Sequence, residues 1–257
     1  MNKINLIKIG GNLIDNSEQL DSFLEAFVTL KGPKILVHGG GKTATSMATK
    51  MNLAVQMHQG RRITDGPNLE IITMVYGGLI NKKLVAQLQA LGADAIGLSG
   101  ADGNTILATK RPPAPIDYGF VGDVKTVNAT GLTQLIALNK IPVLCSITHN
   151  GKGQLLNTNA DTIAAQVAIA LAKQQEVHLH YCFEKEGVLE DVHDEASVLP
   201  KIDTQKYEAL KAAKQIAGGM LPKLSNCFEA LQNGVKTVHV GGPNMLNQST
   251  LHTQIEL

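Results

Sequence analysis

Lys34-Ile35-Leu36-Val37-His38 runs directly into Gly39-Gly40-Gly41-Lys42-Thr43, and the reading of these residues decides the fold. Ile35, Leu36 and Val37 supply the branched, apolar side chains of a short strand. The three glycines that follow free the backbone to turn and to bring its N–H groups close to a ligand. The Gly-Lys-Thr ending imitates a nucleotide-binding P-loop, but that motif requires glycine at the place held here by Leu36. What survives is a strand, a glycine turn and a helix, the arrangement in which open parallel sheets gather anionic or small polar ligands at the carboxyl ends of strands.

The same grammar recurs on either side. Asn5 to Ile9 reads as a strand entering Lys8-Ile9-Gly10-Gly11-Asn12, where glycines would expose backbone N–H groups and a lysine would add countercharge. Further β-rich runs at Ala95 to Leu98, Ile141 to Ser146, Val177 to Cys182 and Val235 to Val240 mostly precede amphipathic stretches, which predicts an α/β protein with a mainly parallel open sheet. Between Leu53 and Thr64, and between Thr105 and Val127, the sequence turns polar and turn-rich without helical period. Hairpins are expected there, and such excursions often cover a ligand site. A strand and helix set of its own from Lys173 onward predicts two lobes of one continuous fold, residues 1–172 and 173–257.

Composition narrows the function. The chain has 257 residues, 44% hydrophobic and 18% charged, with 23 Lys and Arg against 22 Asp and Glu. A net charge of +1 without a polybasic face argues against nucleic-acid or membrane partners. The longest nearly apolar stretch, Ile163 to Ala172, falls short of the roughly 18 residues of a membrane span. Lys8 interrupts the first apolar run before it could serve as a signal-peptide core. Cys145, Cys182 and Cys227 form neither a close pair nor a metal-ligand pattern, so a reduced, cytoplasmic setting is expected.

Several residues carry chemistry. Arg62, in GRRITD, could hold a carboxylate in a bidentate fork, although hairpin arginines are often merely solvated. Asn157, Asn159 and Asp161 stand at a helix start, where Asn159 suits a cap and Asp161 the helix dipole, and where all three also suit recognition of an amino acid. Gly218-Gly219-Met220-Leu221-Pro222-Lys223 opens another helix with a lysine near its N-terminus, a place the dipole disfavours unless an anion is close. His178 and His180 alternate on a strand and read as packing or hydrogen-bonding residues rather than metal ligands.

Taken in order, KIGGN from Lys8, LVHGGGK ending at Lys42, GRRITD with Arg62, YGGLINK with Asn81, GLSGADG from Gly97, GFVGDV from Gly119, GQLLNTNAD with Asn157 and Asp161, and IAGGMLPKL with Lys223 resemble the amino acid kinase family. The GFVGDV, NTNAD and GGMLPK segments are similar to its N-acetyl-L-glutamate kinase branch, and the similarity covers almost the whole chain. The resemblance implies a three-layer α/β/α sandwich, with the acylated amino acid and dimerisation assigned to the first lobe and the nucleotide to the second. It implies that Lys8 and Lys223 stabilise the transferring phosphoryl group and that Asp161 orients them. Gly10 and Gly11 would contact ATP phosphates, and Gly40, Gly41, Arg62 and Asn157 would hold the acylated amino acid. The implied reaction moves the γ-phosphoryl group of ATP, with Mg²⁺, onto the side-chain carboxylate of N-acetyl-L-glutamate in arginine biosynthesis.

Some positions depart from the family pattern. Phe183-Glu184-Lys185-Glu186-Gly187-Val188 replaces a nucleotide-lobe motif of the T-D-V-x-G-V kind, Ala101 stands where lysine is frequent, and the TLHTQIEL ending lacks the common Gly-Thr tail. Few residues precede Lys8, so a homodimer insensitive to arginine is expected rather than a hexamer. Two alternatives stand beside the acetyl reading. Arg61, next to Arg62, could pair with the extra carboxylate of N-succinyl-L-glutamate, and a non-catalytic ligand-binding member of the family would keep the same motifs without turnover.

Overall fold

The structure, a computed structural model, describes residues 3–58, 60–213, 215–216, 219–247 and 250–257. Two compact units divide the chain, one made of residues 1–34 and 164–257, the other of residues 35–163. A single cut near Lys173 is therefore not where the units separate. The reason is register: β1 (Lys3–Ile9) pairs in parallel along its whole length with Glu176–Cys182, which draws the start of the chain into the unit formed by its end.

In chain order, β1 is followed by the short helix α1 (Gly11–Ile14), α2 (Ser17–Thr29) and β2 (Lys34–His38). Then come α3 (Gly41–Lys50), the strands β3 (Gln56–His58) and β4 (Arg61–Ile63), α4 (Gly66–Ile72), a π-helical segment Thr73–Ile80 and α5 (Asn81–Ala90). β5 (Ala95–Leu98), β6 (Ile106–Lys110), β7 (Gly122–Val127), α6 (Ala129–Ala137), β8 (Ile141–Cys145), β9 (Ile147–His149), β10 (Leu155–Asn157) and α7 (Ala160–Ala172) follow. The chain closes with β11 (Glu176–Cys182), β12 (Lys201–Ile202), α8 (Thr204–Ala212), α9 (Met220–Gln232), β13 (Thr237–Gly241) and β14 (Thr253–Ile255).

In the first unit the strands lie in the order β12-β14-β13-β11-β1, parallel except where β14 meets β13. The TLHTQIEL ending thus supplies a strand. β1 is buried on both faces from Ile4 to Ile9, as expected of a parallel strand covered on both sides. α2 is held at both ends by side chains: Asn16 accepts from the Gln19 N–H at 3.1 Å, and the buried Lys34 ammonium donates to the last carbonyls, Phe27 at 3.1 Å, Val28 at 2.9 Å and Leu30.

The second unit pairs β2, β8 and β5 in parallel, every residue of β2 being buried. Beside them β10-β9-β6-β7 form a four-stranded sheet, and β3 and β4 a two-stranded hairpin. Both expected hairpins are present, β3 with β4 and β6 with β7, the latter bulged between Leu107 and Ala108.

Candidate active site

In the second unit the glycine turn after β2 is shaped from outside. Gly40, the N-cap of α3, has φ of +150°, and a Cβ on it would stand 2.2 Å from Ile80 Cδ1 and 3.1 Å from Tyr76 Cδ1. Only glycine fits, and the π-helical segment forms the wall that makes it so.

Arg62 reaches this turn from β4 and is almost entirely buried. Its Nη2 donates to the Gly41 carbonyl at 3.0 Å and to Thr45 Oγ1, while Nη1 is buried with no hydrogen-bond partner among the described residues. A buried guanidinium with one unsatisfied end is costly on its own, and a carboxylate is the group whose geometry would satisfy it. The structure therefore joins Arg62 to the Gly40–Gly41 turn, as the spacing of these motifs alone does not show.

The GFVGDV and NTNAD motifs interlock nearby. Gly119 has φ of +71° and approaches Thr64 so closely that a Cβ would lie 2.2 Å from the Thr64 carbonyl oxygen. Thr64 N–H donates to the Tyr118 carbonyl at 2.9 Å, Phe120 N–H to the Thr64 carbonyl at 2.7 Å, and Asn157 N–H to the Phe120 carbonyl at 2.9 Å. Asn157 Nδ2 then donates to Thr64 Oγ1 at 3.0 Å, which fixes this amide two residues beyond Arg62. Asn159 caps α7 by accepting from the Thr162 N–H at 3.0 Å, and Asp161 occupies the first turn.

In the first unit Lys8 and Lys223 come from opposite ends of the chain. Lys8 lies opposite Tyr181 in the β1–β11 register and is nearly buried. Lys223 sits one turn into α9 with its Nζ 5.3 Å from the Tyr181 ring centre and 5.9 Å from that of Phe183. Burial pushes the Cys182 thiol up, and the charges of both lysines pull it down. Two ammonium groups thus act on one sulfur atom at the end of β11. Gly218 lies outside the described residues.

At the neighbouring turn, the Gly10 N–H is taken by the Cys182 carbonyl at 2.9 Å, continuing the strand ladder. Gly11 is the first residue of α1, where an N–H has no intrahelical acceptor. The departing segment after β11 is also built in: Phe183 faces Lys223, Glu184 accepts from Asn12 Nδ2 at 2.6 Å, and Lys185 pairs with Glu195. His178 shares hydrogen bonds with Thr237 Oγ1 at 2.8 Å and Glu176 Oε1 at 2.9 Å, and His180 stacks on His239 with ring centres 5.3 Å apart. Sequence reasoning passed over Thr45, Tyr76 and Ile80. Only the run MVYGGLI marked the last two, and it reads as core.

The family model described as the amino acid kinase family matches residues 3–242. The chain is 50% identical over 248 residues to a Parabacteroides distasonis protein named acetylglutamate kinase, covering 96% of this chain and 97% of that one. It is 52% identical over 239 residues to a protein of the same name from Cytophaga hutchinsonii, covering 93% and 90%. Among solved structures, carbamate kinase from Giardia lamblia bound to AMP-PNP superposes with a TM-score of 0.72 at 13% identity, covering 99% of this chain and 98% of that one, a likeness of fold.

Proposed function

The chain belongs to the amino acid kinase family, and from that premise we propose that it transfers the γ-phosphoryl group of ATP to the side-chain carboxylate of N-acetyl-L-glutamate, a step of arginine biosynthesis. The observation that carries the substrate half is the buried, unpartnered Nη1 of Arg62 beside the glycine turn. It asks for a carboxylate.

The chemistry needs no general base. A glutamate side chain ionises near pH 4.3, so at neutral pH it is already the nucleophile. One carboxylate oxygen bonds to the γ-phosphorus as the bond to the ADP oxygen breaks, giving N-acetyl-L-glutamyl 5-phosphate and ADP. The obstacle is repulsion between two anions, and the answer is positioning plus positive charge on the transferring group. Lys8 and Lys223 supply that charge in this reading, and Asp161 orients them. With the Gly10 N–H engaged by Cys182, the backbone donor to phosphate is assigned to Gly11. Gly40, Gly41, Arg62 and Asn157 hold the acylated amino acid.

Among the described residues no group of three or more His, Cys, Asp or Glu side chains could hold a metal ion. Mg²⁺ would then be held by phosphate oxygens and water, as it commonly is on nucleotides. The acetyl form is preferred over the succinyl one because the relatives are named for it and because Arg61 is exposed, whereas Arg62 on the same strand is buried. We also propose a cytoplasmic homodimer. Exposed Met74 and Leu79 in the π-helical segment are apolar surface that a second copy would cover, and the three cysteines are buried and form no disulfide among the described residues.

The test is ADP release with N-acetyl-L-glutamate, N-succinyl-L-glutamate, L-glutamate, L-aspartate and carbamate. Turnover highest with N-acetyl-L-glutamate supports the assignment. A succinyl preference corrects the acyl group, and turnover with none leaves a binding protein. Light scattering decides the dimer.

A further inference from the structure

Tyr76 lies in the π-helical segment with only 6% of its surface exposed. Its ring carbons Cδ1 and Cε1 stand 3.1 and 3.2 Å from the place a Cβ on Gly40 would take, and its hydroxyl oxygen stands 3.8 Å from the corresponding place on Gly41. Among the described residues that hydroxyl has no hydrogen-bond partner. A phenylalanine would pack the same ring against Gly40, so the hydroxyl is the part of this side chain that packing does not require. Arg62 converges on the same turn, donating to the Gly41 carbonyl while its Nη1 goes unpaired. The Arg62 charge is felt at the phenol, and burial, the larger influence, keeps the phenol protonated and hence a donor at neutral pH.

We infer that Tyr76 is a substrate-binding residue whose hydroxyl, together with Arg62 Nη1, takes the two oxygens of one carboxylate of the acylated amino acid. This rests on the acylglutamate reading above. The carboxylate so held is the α-carboxylate. A carboxylate whose two oxygens already accept from a guanidinium and a phenol is a poorer nucleophile, so the clamp belongs on the carboxylate that does not react. Tyr76 and Ile80, four residues apart in the π-helical segment, both stand against Gly40, and the phenol lies beside Gly41.

The decisive variant is Tyr76→Phe, which keeps the ring against Gly40 and removes only the hydroxyl. The KM for N-acetyl-L-glutamate should rise about tenfold, as for a lost hydrogen bond to a charged group, with kcat and the KM for ATP within about twofold of wild type. The double variant with Arg62→Lys should lose less than the product of the two single losses, because both residues serve one carboxylate. Independently of folding, the chain has no tryptophan and four tyrosines, so ultraviolet difference absorption reads tyrosine directly. N-acetyl-L-glutamate added without ATP should perturb a tyrosine in wild type and in Tyr118→Phe alike. Wild type that turns over N-acetyl-L-glutamate while Tyr76→Phe keeps the wild-type KM overturns the inference alone. So does the absence of a tyrosine perturbation, or strict additivity in the double variant. Wild type without turnover removes the functional reading and this inference with it.

Discussion

Asn81 donates through Nδ2 to His38 Nε2 at 3.1 Å and to the Val143 carbonyl at 2.9 Å, so one buried amide ties the end of β2 to β8 immediately before the glycine turn. His38 Nδ1 lies 2.9 Å from the Gly39 carbonyl, which can only accept. The ring proton is therefore on Nδ1, and Nε2 is the acceptor for Asn81. Burial pushes His38 down to about 4, the Gly39 hydrogen bond opposes this, and the Lys82 charge adds to it.

A pH dependence of stability follows. The folded-state value lies below the roughly 6.5 of an unfolded histidine, so the unfolded chain takes up the proton first. The contribution is fully present above about pH 6.5 and is lost as the pH falls toward 4, by roughly 3 kcal/mol for His38. His180, pushed to about 3 chiefly by burial, adds in the same direction. Urea unfolding should give a constant free energy from pH 7 to 8 and a steady fall below pH 6.5, with a shallower fall in His38→Gln. A flat profile between pH 6.5 and 4 would show that His38 is protonated without penalty and that the Asn81 contact does not hold it neutral.

Gly40→Ala should destabilise the second unit and damage the turn beside Arg62. The new Cβ would stand 2.2 Å from Ile80 Cδ1 at a φ that L residues rarely adopt. Strain and overpacking of this kind cost about 2–4 kcal/mol. Thermal unfolding should shift down by several degrees, and the KM for N-acetyl-L-glutamate should rise by more than that for ATP. Equal stability and kinetics would mean that Ile80 yields freely and that the wall is soft.

Much of this was legible in the sequence, for physical reasons that also explain what was not. β2 announces itself because a strand buried on both faces has apolar residues in succession, and both hairpins do so because polar, turn-rich segments interrupt the pattern. Arg62 was legible as a residue type, but its bonds to Gly41 and Thr45 span 21 and 17 positions and have no local signature. Tyr76 was hidden because the apolar run MVYGGLI reads as core, and nothing in it marks the hydroxyl beside Gly41. Gly10 had the expected composition for a phosphate turn, yet its N–H completes the ladder with β11, a partner more than 170 positions away. The single cut near Lys173 missed the return of β1 into the later unit because strand pairing over such separations leaves no local mark.

On the proposed function, Lys8→Ala and Lys223→Ala should each lower kcat by about 10²-fold or more while leaving the fold intact, because each would remove charge directed at the transferring phosphoryl group. Both should also let the Cys182 thiol rise further, since both charges hold it down. Steady-state kinetics with circular dichroism as the control for folding checks this. Near-normal kcat in both variants would take these lysines out of the chemistry.

Arg62→Lys and Arg61→Leu separate the two arginines of one hairpin strand. Arg62 uses Nη2 to hold the Gly41 carbonyl and Thr45 and leaves Nη1 for a ligand, a division of labour that a single ammonium cannot reproduce. The lysine variant should raise the KM for N-acetyl-L-glutamate by on the order of 10–100-fold, with the KM for ATP little changed. Arg61 is exposed, opposite His58 in the β3–β4 register, so Arg61→Leu should leave the acetyl substrate's kcat/KM within about twofold, as surface substitutions usually do. If Arg61→Leu instead lost activity selectively with N-succinyl-L-glutamate in a wild type that prefers that substrate, Arg61 would face the acyl group and the acetyl assignment would fall. If ATP affinity dropped in Arg62→Lys while the acylglutamate KM stayed put, the unpartnered Nη1 would belong to the nucleotide.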